Sequence, residues 1–301
     1  MRSTGRVDKS RTTYQEFCAG TVPPGMDLAG LKIVIDCANG AAYKVAPRVL
    51  ADLGAEIVPI GCSPNGRNIN VNCGSTSPGL LMMMVPGVKA DVGIALDGDG
   101  DRLVMVDHTG ALIDGDRLLY VVARDRKACG ELTGPVVGTV MSNLGLELAL
   151  ADEGIAFRRA KVGDRYVLAM MKEHGAVLGG ETSGHLLCLD RTTTGDGLVS
   201  ALQVLAAMKR VGKSLAELAG GMPQYPQVMV NVRVRDRVDP SQSPSICDAV
   251  SRVESVLGGK GRVVLRASGT EPVIRVMVEG RDQAEVGQLA NQLADVVRKA
   301  V

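Results

Sequence analysis

The stretch Asp97-Gly98-Asp99-Gly100-Asp101-Arg102 lies between the apolar runs Ile94–Leu96 and Leu103–Val106, and it concentrates more potential chemistry than any other part of the chain. Alternate side chains of an extended strand share a face, and intervening glycines let the backbone fold those side chains around one point. Carboxylates gathered in this way repel one another unless a cation neutralises them. An all-oxygen donor set suits a hard divalent ion such as Mg²⁺. Arg102 adds a fixed positive charge at the rim, where a phosphate could bridge cation and guanidinium. The pattern reads as a metal site built for phosphate chemistry, with Asp97, Asp99 and Asp101 as ligands. A helix–loop–helix calcium site needs a glycine sixth and a glutamate twelfth. Counted from Asp97, those positions hold Arg102 and His108, so that reading is excluded. The remaining alternative is an acidic turn between two strands.

Two further constellations carry chemistry. Gly179-Gly180-Glu181-Thr182-Ser183-Gly184-His185 combines a flexible backbone with an acid, hydroxyls and an imidazole. Glu181 and Ser183 are suited to gripping sugar hydroxyls; the plainer reading is a polar turn capped by His185. Arg266-Ala267-Ser268-Gly269-Thr270-Glu271-Pro272, with Arg275 close behind, places hydroxyls, successive amides around a glycine and two arginines together. Such a nest fits a phosphate monoester, and its alternative is a hairpin loop with solvated arginines. Lys161, ahead of Gly163-Asp164-Arg165, is a weaker candidate for moving a proton or binding phosphate. Asp164 is a candidate helix cap there. Thr192-Thr193-Thr194-Gly195-Asp196-Gly197 reads first as a helix start and second as a site-facing loop. His108 and His174 have no partners in sequence and receive no role.

The elements that must position these groups follow from hydrophobic patterning. Strands are expected at Lys32–Asp36 and Glu56–Ile60 around a helix over 42–53, which is the order of a parallel α/β unit. A loop rich in Gly, Pro and Asn (61–79) leads to the strand that ends at the aspartates. The methionines of 82–84 read as core filler, with Pro86 limiting any helix. A turn at 107–110 precedes a second α/β set, with helices over 116–127, 144–152, 165–174 and 198–209 and strands over 135–140, near 177–178 and over 186–189. Pro223-Gln224-Tyr225-Pro226 reads as a linker. Beyond it, strands at 227–234, 263–266 and 274–278 with helices at 246–257 and 283–297 predict a small α+β domain. The fold class is α/β: two successive α/β domains, 1–110 and 111–222, followed by a smaller α+β domain, 223–301.

Composition narrows the function. The 301 residues carry a net charge of +1 and only 2% aromatic residues with no Trp, which argues against a nucleic-acid-binding surface. No apolar run reaches the ~20 residues of a membrane span, and the N-terminal residues lack a signal-peptide core. Seven cysteines (18, 37, 62, 73, 129, 188 and 247) form no C-x-x-C pair and read as reduced thiols of a cytoplasmic protein.

In this order, the loops D-G-D-G-D-R, G-E-x-S-G-H and R-x-S-G-T-E-P resemble those of the α-D-phosphohexomutase family. The segments 34–42, 161–167 and 192–197 carry a narrower likeness to its amino-sugar members, which interconvert glucosamine 6-phosphate and glucosamine 1-phosphate for cell-wall precursor synthesis. The resemblance implies four domains around a cleft, of which this chain matches the second, third and fourth. In such enzymes the first domain carries a serine, in a T/S-A-S-H-N-P loop, that is phosphorylated during turnover. Here the histidines follow Asp107, Glu173 and Gly184, so no serine precedes one. The expectation is that the nucleophile is absent from these residues and the chain alone is inactive. The alternative is a non-catalytic sugar-phosphate binding protein or a truncated gene product.

By the same resemblance, Asp97, Asp99 and Asp101 hold Mg²⁺ and Arg102 sits beside the transferring phosphoryl group, with Lys161 a candidate for proton transfer. Glu181 and Ser183 hold ring hydroxyls, and His185 supports their loop. Arg266, Ser268, Gly269, Thr270 and Arg275 bind the phosphate that does not react. Expected partners are a hexosamine phosphate and a sugar bisphosphate intermediate, with no nucleic acid and no membrane; a homodimer is compatible with this reading.

Overall fold

The computed structural model describes residues 5–234, 239–268 and 272–300. Residues 1–142 and 149–222 form one compact unit, and residues 143–148 with 223–301 form a second.

The first unit opens with helix α1 (Gly5–Ala19), in a region where patterning indicates no element. Strands β1 (Lys32–Asp36) and β2 (Glu56–Ile60) follow at the expected bounds, around helix α2 (Val45–Asp52). The helix expected over 42–53 is divided, since its first turn is a 3-10 turn at Ala41–Tyr43. Helix α3 (Gly79–Gly87) leads to β3 (Val92–Leu96), β4 (Leu103–Asp107) and β5 (Leu112–Ile113). The sheet order is β2-β1-β3-β4-β5. The pairs β1–β2 and β1–β3 are parallel, while β3–β4 and β4–β5 are antiparallel. β3 and β4 are buried along their whole length, which is why both read as unbroken apolar runs.

A second sheet repeats this plan. Helix α4 (Gly115–Cys129) precedes β6 (Val136–Thr139), α5 (Leu144–Asp152), β7 (Phe157–Ala160), α6 (Asp164–Glu173), β8 (Leu178–Gly180) and β9 (Leu186–Cys188). The order is β7-β6-β8-β9, with β6 parallel to β7 and β8, and β8 antiparallel to β9. Helices α7 (Gly197–Val211) and α8 (Leu215–Ala219) complete the unit. Asp114 caps α4 by accepting from the Arg117 amide, and Asp196 caps α7 by accepting from the Val199 amide at 2.9 Å. Both helices end on a glycine in the left-handed region, Gly130 and Gly212.

The second unit is an antiparallel sheet of β10 (Gln227–Arg233), β11 (Arg262–Ala267) and β12 (Val273–Glu279) in the order β10-β12-β11, packed with α9 (Pro244–Leu257) and α10 (Gln283–Ala300). Ile274, Val276 and Val278 of β12 meet Ile246 and Val253 of α9 and Val286 and Leu293 of α10 in its core. The unit takes in residues 143–148 as well as 223–301. Asn143 brackets Tyr225 through its side chain, accepting from the Tyr225 amide and donating to its carbonyl.

Two expectations are corrected. Met83 is 68% exposed rather than core, because it lies on the outer face of α3, whereas Met82 and Met84 pack partly against the sheet. Pro86 falls in the final turn, and the helix ends one residue beyond it, as expected. Asp164 is the first residue of α6 and not its cap, which is Gly163 in a positive-φ conformation.

Candidate active site

Both candidate loops of the first unit sit at equivalent places. The aspartates join β3 to the antiparallel β4, and Glu181–His185 joins β8 to the antiparallel β9. Each loop leaves the carboxyl end of a parallel strand, the customary place for ligands in α/β sheets.

One ligand oxygen from each of Asp97, Asp99 and Asp101 lies within 4.8 Å of the others, with Asp97 buried, Asp101 half-buried and Asp99 exposed. Asp97 Oδ1 accepts from the amides of Gly100 and Arg102, both at 3.1 Å, which curls the loop back on its first residue. The Arg102 Nε is 3.8 Å from Asp97 and 4.0 Å from Asp101. His185 is buried, and its Nδ1 lies 3.3 Å from Asp101 Oδ2. An imidazole so placed orients a carboxylate ligand from behind. The donor set is all oxygen, partly open to water and flanked by one guanidinium. It suits Mg²⁺, which keeps several waters and is held by few carboxylates.

The two loops are knitted together by their backbones. The Leu103 amide donates to the Gly184 carbonyl (3.0 Å), the Gly197 amide to Gly100 (2.9 Å) and the Gly115 amide to Thr182 (3.1 Å). Gly184 has φ +93, and a Cβ there would lie 2.0 Å from the Leu103 carbonyl oxygen, so only glycine permits this approach. Glu181 is half-buried, and its Oε1 accepts from the Gly163 amide at 2.8 Å, at the N-terminus of α6 where the helix dipole favours a carboxylate. Ser183 is exposed, and so is Lys161, two residues before Gly163. Thr182 Oγ1 donates to buried Asp116 at 2.7 Å. The segment 192–196 leads into α7 as a helix start, with Asp196 as its cap, and Tyr14 of α1 donates to Asp196 Oδ2 at 2.8 Å. Asp116 and Tyr14 hold the site from behind and carry no motif of their own, whereas Gly163 lies within the segment 161–167.

In the second unit Arg266 and Arg275 are directly opposite each other in the β11–β12 ladder, both half-buried. Ser268 is buried, with its amide donating to the Val273 carbonyl at 2.8 Å. Gly269 and Thr270 lie outside the described residues.

Comparison with known proteins accounts for these loops together. Residues 24–110 match the family model described as phosphoglucomutase/phosphomannomutase, alpha/beta/alpha domain II. Residues 114–225 match its alpha/beta/alpha domain III, and residues 229–296 its C-terminal domain. The chain is 56% identical over 300 residues to a phosphoglucosamine mutase of Alkalilimnicola ehrlichii, covering 100% of this chain and 66% of that protein. It is 55% identical over 300 residues to phosphoglucosamine mutase 1 of Shewanella amazonensis, covering 100% and 67%. The chain thus spans about two thirds of the length of these relatives. Two solved structures share the fold. One is a phosphoglucomutase/phosphomannomutase family protein from Burkholderia thailandensis (TM-score 0.78, 23% identity, 96% of this chain and 64% of that one). The other is the N-acetylphosphoglucosamine mutase of Aspergillus fumigatus in complex with GlcNAc-6P and magnesium (TM-score 0.77, 22% identity, 96% and 66%). Consecutive matches to three domains of one family, and relatives more than half identical along the whole chain, lead to one conclusion: the chain belongs to the phosphoglucomutase/phosphomannomutase family of phosphohexomutases.

Proposed function

We propose that this chain supplies the cation, sugar and phosphate loops of a phosphoglucosamine mutase, an isomerase that interconverts glucosamine 6-phosphate and glucosamine 1-phosphate through a phosphoserine and a sugar bisphosphate. Residues 1–110, 111–222 and 223–301 contribute one loop each. The observation that carries this reading is the convergence of Asp97, Asp99 and Asp101 within 4.8 Å beside Arg102, in a loop hydrogen-bonded to the Glu181 loop. The amino-sugar preference rests on the 56% identity to a phosphoglucosamine mutase.

Asp97, Asp99 and Asp101 would hold Mg²⁺, which when bound withdraws charge from a transferring phosphoryl group. Arg102 binds the same group's oxygens from the rim of the loop. Glu181 commits one carboxylate oxygen to Gly163 and keeps the other for ring hydroxyls, with Ser183 beside it. His185 holds Asp101 in position. Arg266, Ser268, Gly269, Thr270 and Arg275 bind the phosphate that does not react, and that binding energy holds the reacting end in line. Lys161 is the candidate for proton transfer. The phosphoserine comes from outside these 301 residues, and the reaction is cytoplasmic.

Conversion of glucosamine 6-phosphate, followed by ³¹P NMR with Mg²⁺ and a sugar bisphosphate primer, tests the reading. The 301-residue chain alone should give no turnover, and fusion behind the N-terminal third of a relative should restore it. Turnover by the chain alone, surviving repurification from host enzymes, refutes the placement of the nucleophile.

A further inference from the structure

Cys37 and Cys62 stand at the ends of neighbouring strands. Cys37 directly follows β1, Cys62 follows β2 by two residues, and Asp36 and Ile60 are partners in the parallel ladder. The Cys37 amide donates to the Ile60 carbonyl at 3.1 Å, and Cys62 Sγ donates to the same carbonyl at 3.2 Å, so one oxygen gathers both residues. That shared carbonyl brings the two side chains close enough to act on each other. Cys37 is fully buried while Cys62 is half-buried and reachable from solvent. Apart from Asp97, Asp99 and Asp101, the described residues contain no convergent group of three or more His, Cys, Asp or Glu, so the pair is not part of such a metal cluster.

We infer that Cys37 and Cys62 form a peroxide-responsive thiol pair whose reversible disulfide loosens the neighbouring carboxylate loop. The Cys62 thiolate attacks a peroxide oxygen and the O–O bond breaks, leaving a sulfenic acid on Cys62 and releasing water once protonated. The Cys37 sulfur then attacks the Cys62 sulfur, the S–O bond breaks, and hydroxide departs as water with the Cys37 proton. Two thiols have lost two electrons and two protons, and one peroxide has become two waters; a thiol reductant reverses the change.

The environment divides the roles. The Cys37 side chain holds the Cys62 thiol below its ordinary range, helped by the Cys37 amide and opposed by burial and the Asp36 charge. The Cys62 side chain, with burial behind it, pushes Cys37 up, making it the resolving partner. Cys73 is buried and interacts instead with Asn39 Nδ2, at 3.5 Å.

Closing the bond contracts the sulfur contact to about 2.05 Å. The turn after Cys37 has little slack to absorb this. The Asn39 amide donates to Gly61 at 2.6 Å, the Ala41 amide donates to Gly98 at 2.8 Å, and a Cβ on Gly40 would lie 2.3 Å from the Gly98 carbonyl oxygen. Gly98 separates Asp97 from Asp99, so movement of the turn reaches the candidate cation site. This coupling, though not the pair itself, rests on the cation reading above.

The test treats the 301-residue protein with hydrogen peroxide, blocks free thiols and maps non-reduced peptides by mass spectrometry. A Cys37–Cys62 linked peptide is expected that dithiothreitol removes, that C62S lacks and that C73S retains. Oxidised protein should bind Mn²⁺ roughly tenfold more weakly by calorimetry, recovering on reduction, while C62S should ignore peroxide. Absence of the linked peptide, or Cys62 carried on to sulfinic acid or joined to another cysteine, overturns the pair. A linked peptide with unchanged Mn²⁺ affinity overturns the coupling. If the reduced protein binds no Mn²⁺, the cation reading fails, and the peptide map alone still decides the pair.

Discussion

Replacing Asp99 by Asn should stabilise the protein without divalent cation and leave it the less stable of the two once the cation is added. The carboxylate oxygens of Asp97, Asp99 and Asp101 lie within 4.8 Å of one another, and Asp99 is the exposed member, so a water-like dielectric applies. At that distance each like-charge pair costs about 0.9 kcal/mol. Asp99 takes part in two such pairs, which sets the gain from neutralising it at about 1 to 2 kcal/mol at low salt, shrinking as salt is added. Arg102 remains paired with Asp97 and Asp101 in the variant, and Asn keeps the shape, so little else changes. Cation at a hundredfold excess over its dissociation constant adds about 2.7 kcal/mol to wild type. The variant, having lost a ligand, should gain far less. Urea denaturation in EDTA and in saturating Mg²⁺, at low salt, should therefore rank the two proteins in opposite orders. Equal stabilities in EDTA together with equal responses to Mg²⁺ would refute both the repulsion and the site.

Four more outcomes follow from particular contacts. Glu279 is fully buried and accepts from Arg262, the Leu144 amide and Gln227, so Glu279→Ala should cost about 2 to 4 kcal/mol by chemical denaturation, through the donors it leaves unmatched and the half-buried Arg262 charge. Gly115→Ala would bring a Cβ to 2.1 Å from the Glu181 carbonyl oxygen; it should lower stability by about 1 to 3 kcal/mol and shift the amide resonances of 181–185. Burial raises the Asp114 pKa against the opposing Arg117 amide, so its ionisation costs folding energy as pH rises from the unfolded carboxylate value through the folded one. Asp114→Asn should flatten that slope while keeping the cap, and Asp114→Ala should lose about 1 kcal/mol of capping, both read by denaturation at several pH values. Burial pushes Cys18 up to about 12 and Cys188 to about 11, whereas Cys129 and Cys247 are exposed. Alkylation at pH 8 should therefore reach Cys62, Cys129 and Cys247 before Cys18 and Cys188.

The parts of the molecule legible in the sequence were those with local causes. β1, β2 and α5 have the expected bounds because an apolar run closed by a turn residue specifies them without outside help. The aspartate cluster was legible because only glycines separate its members. β7 was not: Phe157-Arg158-Arg159-Ala160 buries only its last residue, and its place depends on distant partners. Arg159 donates to the Thr139 and Ser142 carbonyls and stacks on Phe157, so its charge does not signify solvent. Helix α1 is similarly obscure, since a polar segment gains its position from Tyr14 on Asp196, 182 residues away. The opposition of Arg266 and Arg275 needs the strand register, which spacing alone does not give. Met83 misled because an apolar side chain on a short helix carries no mark of the face it occupies.

The backbone bonds Leu103–Gly184, Gly197–Gly100 and Gly115–Thr182 bear on how this chain can be recombined. Family boundaries near residues 110 and 114 invite the exchange of one α/β segment for that of a distant relative. A crossover there keeps every motif intact yet pairs two loops whose main chains have not been shaped for each other, and no side-chain repair can replace an amide that misses its carbonyl. Chimaeras joined at this point should lose cation and sugar binding together, whereas exchanges that carry residues 97–115 and 179–197 as a single block should keep both. The inheritable unit of this site is the interlocked pair of loops, which is larger than either domain's motif and smaller than the two domains combined.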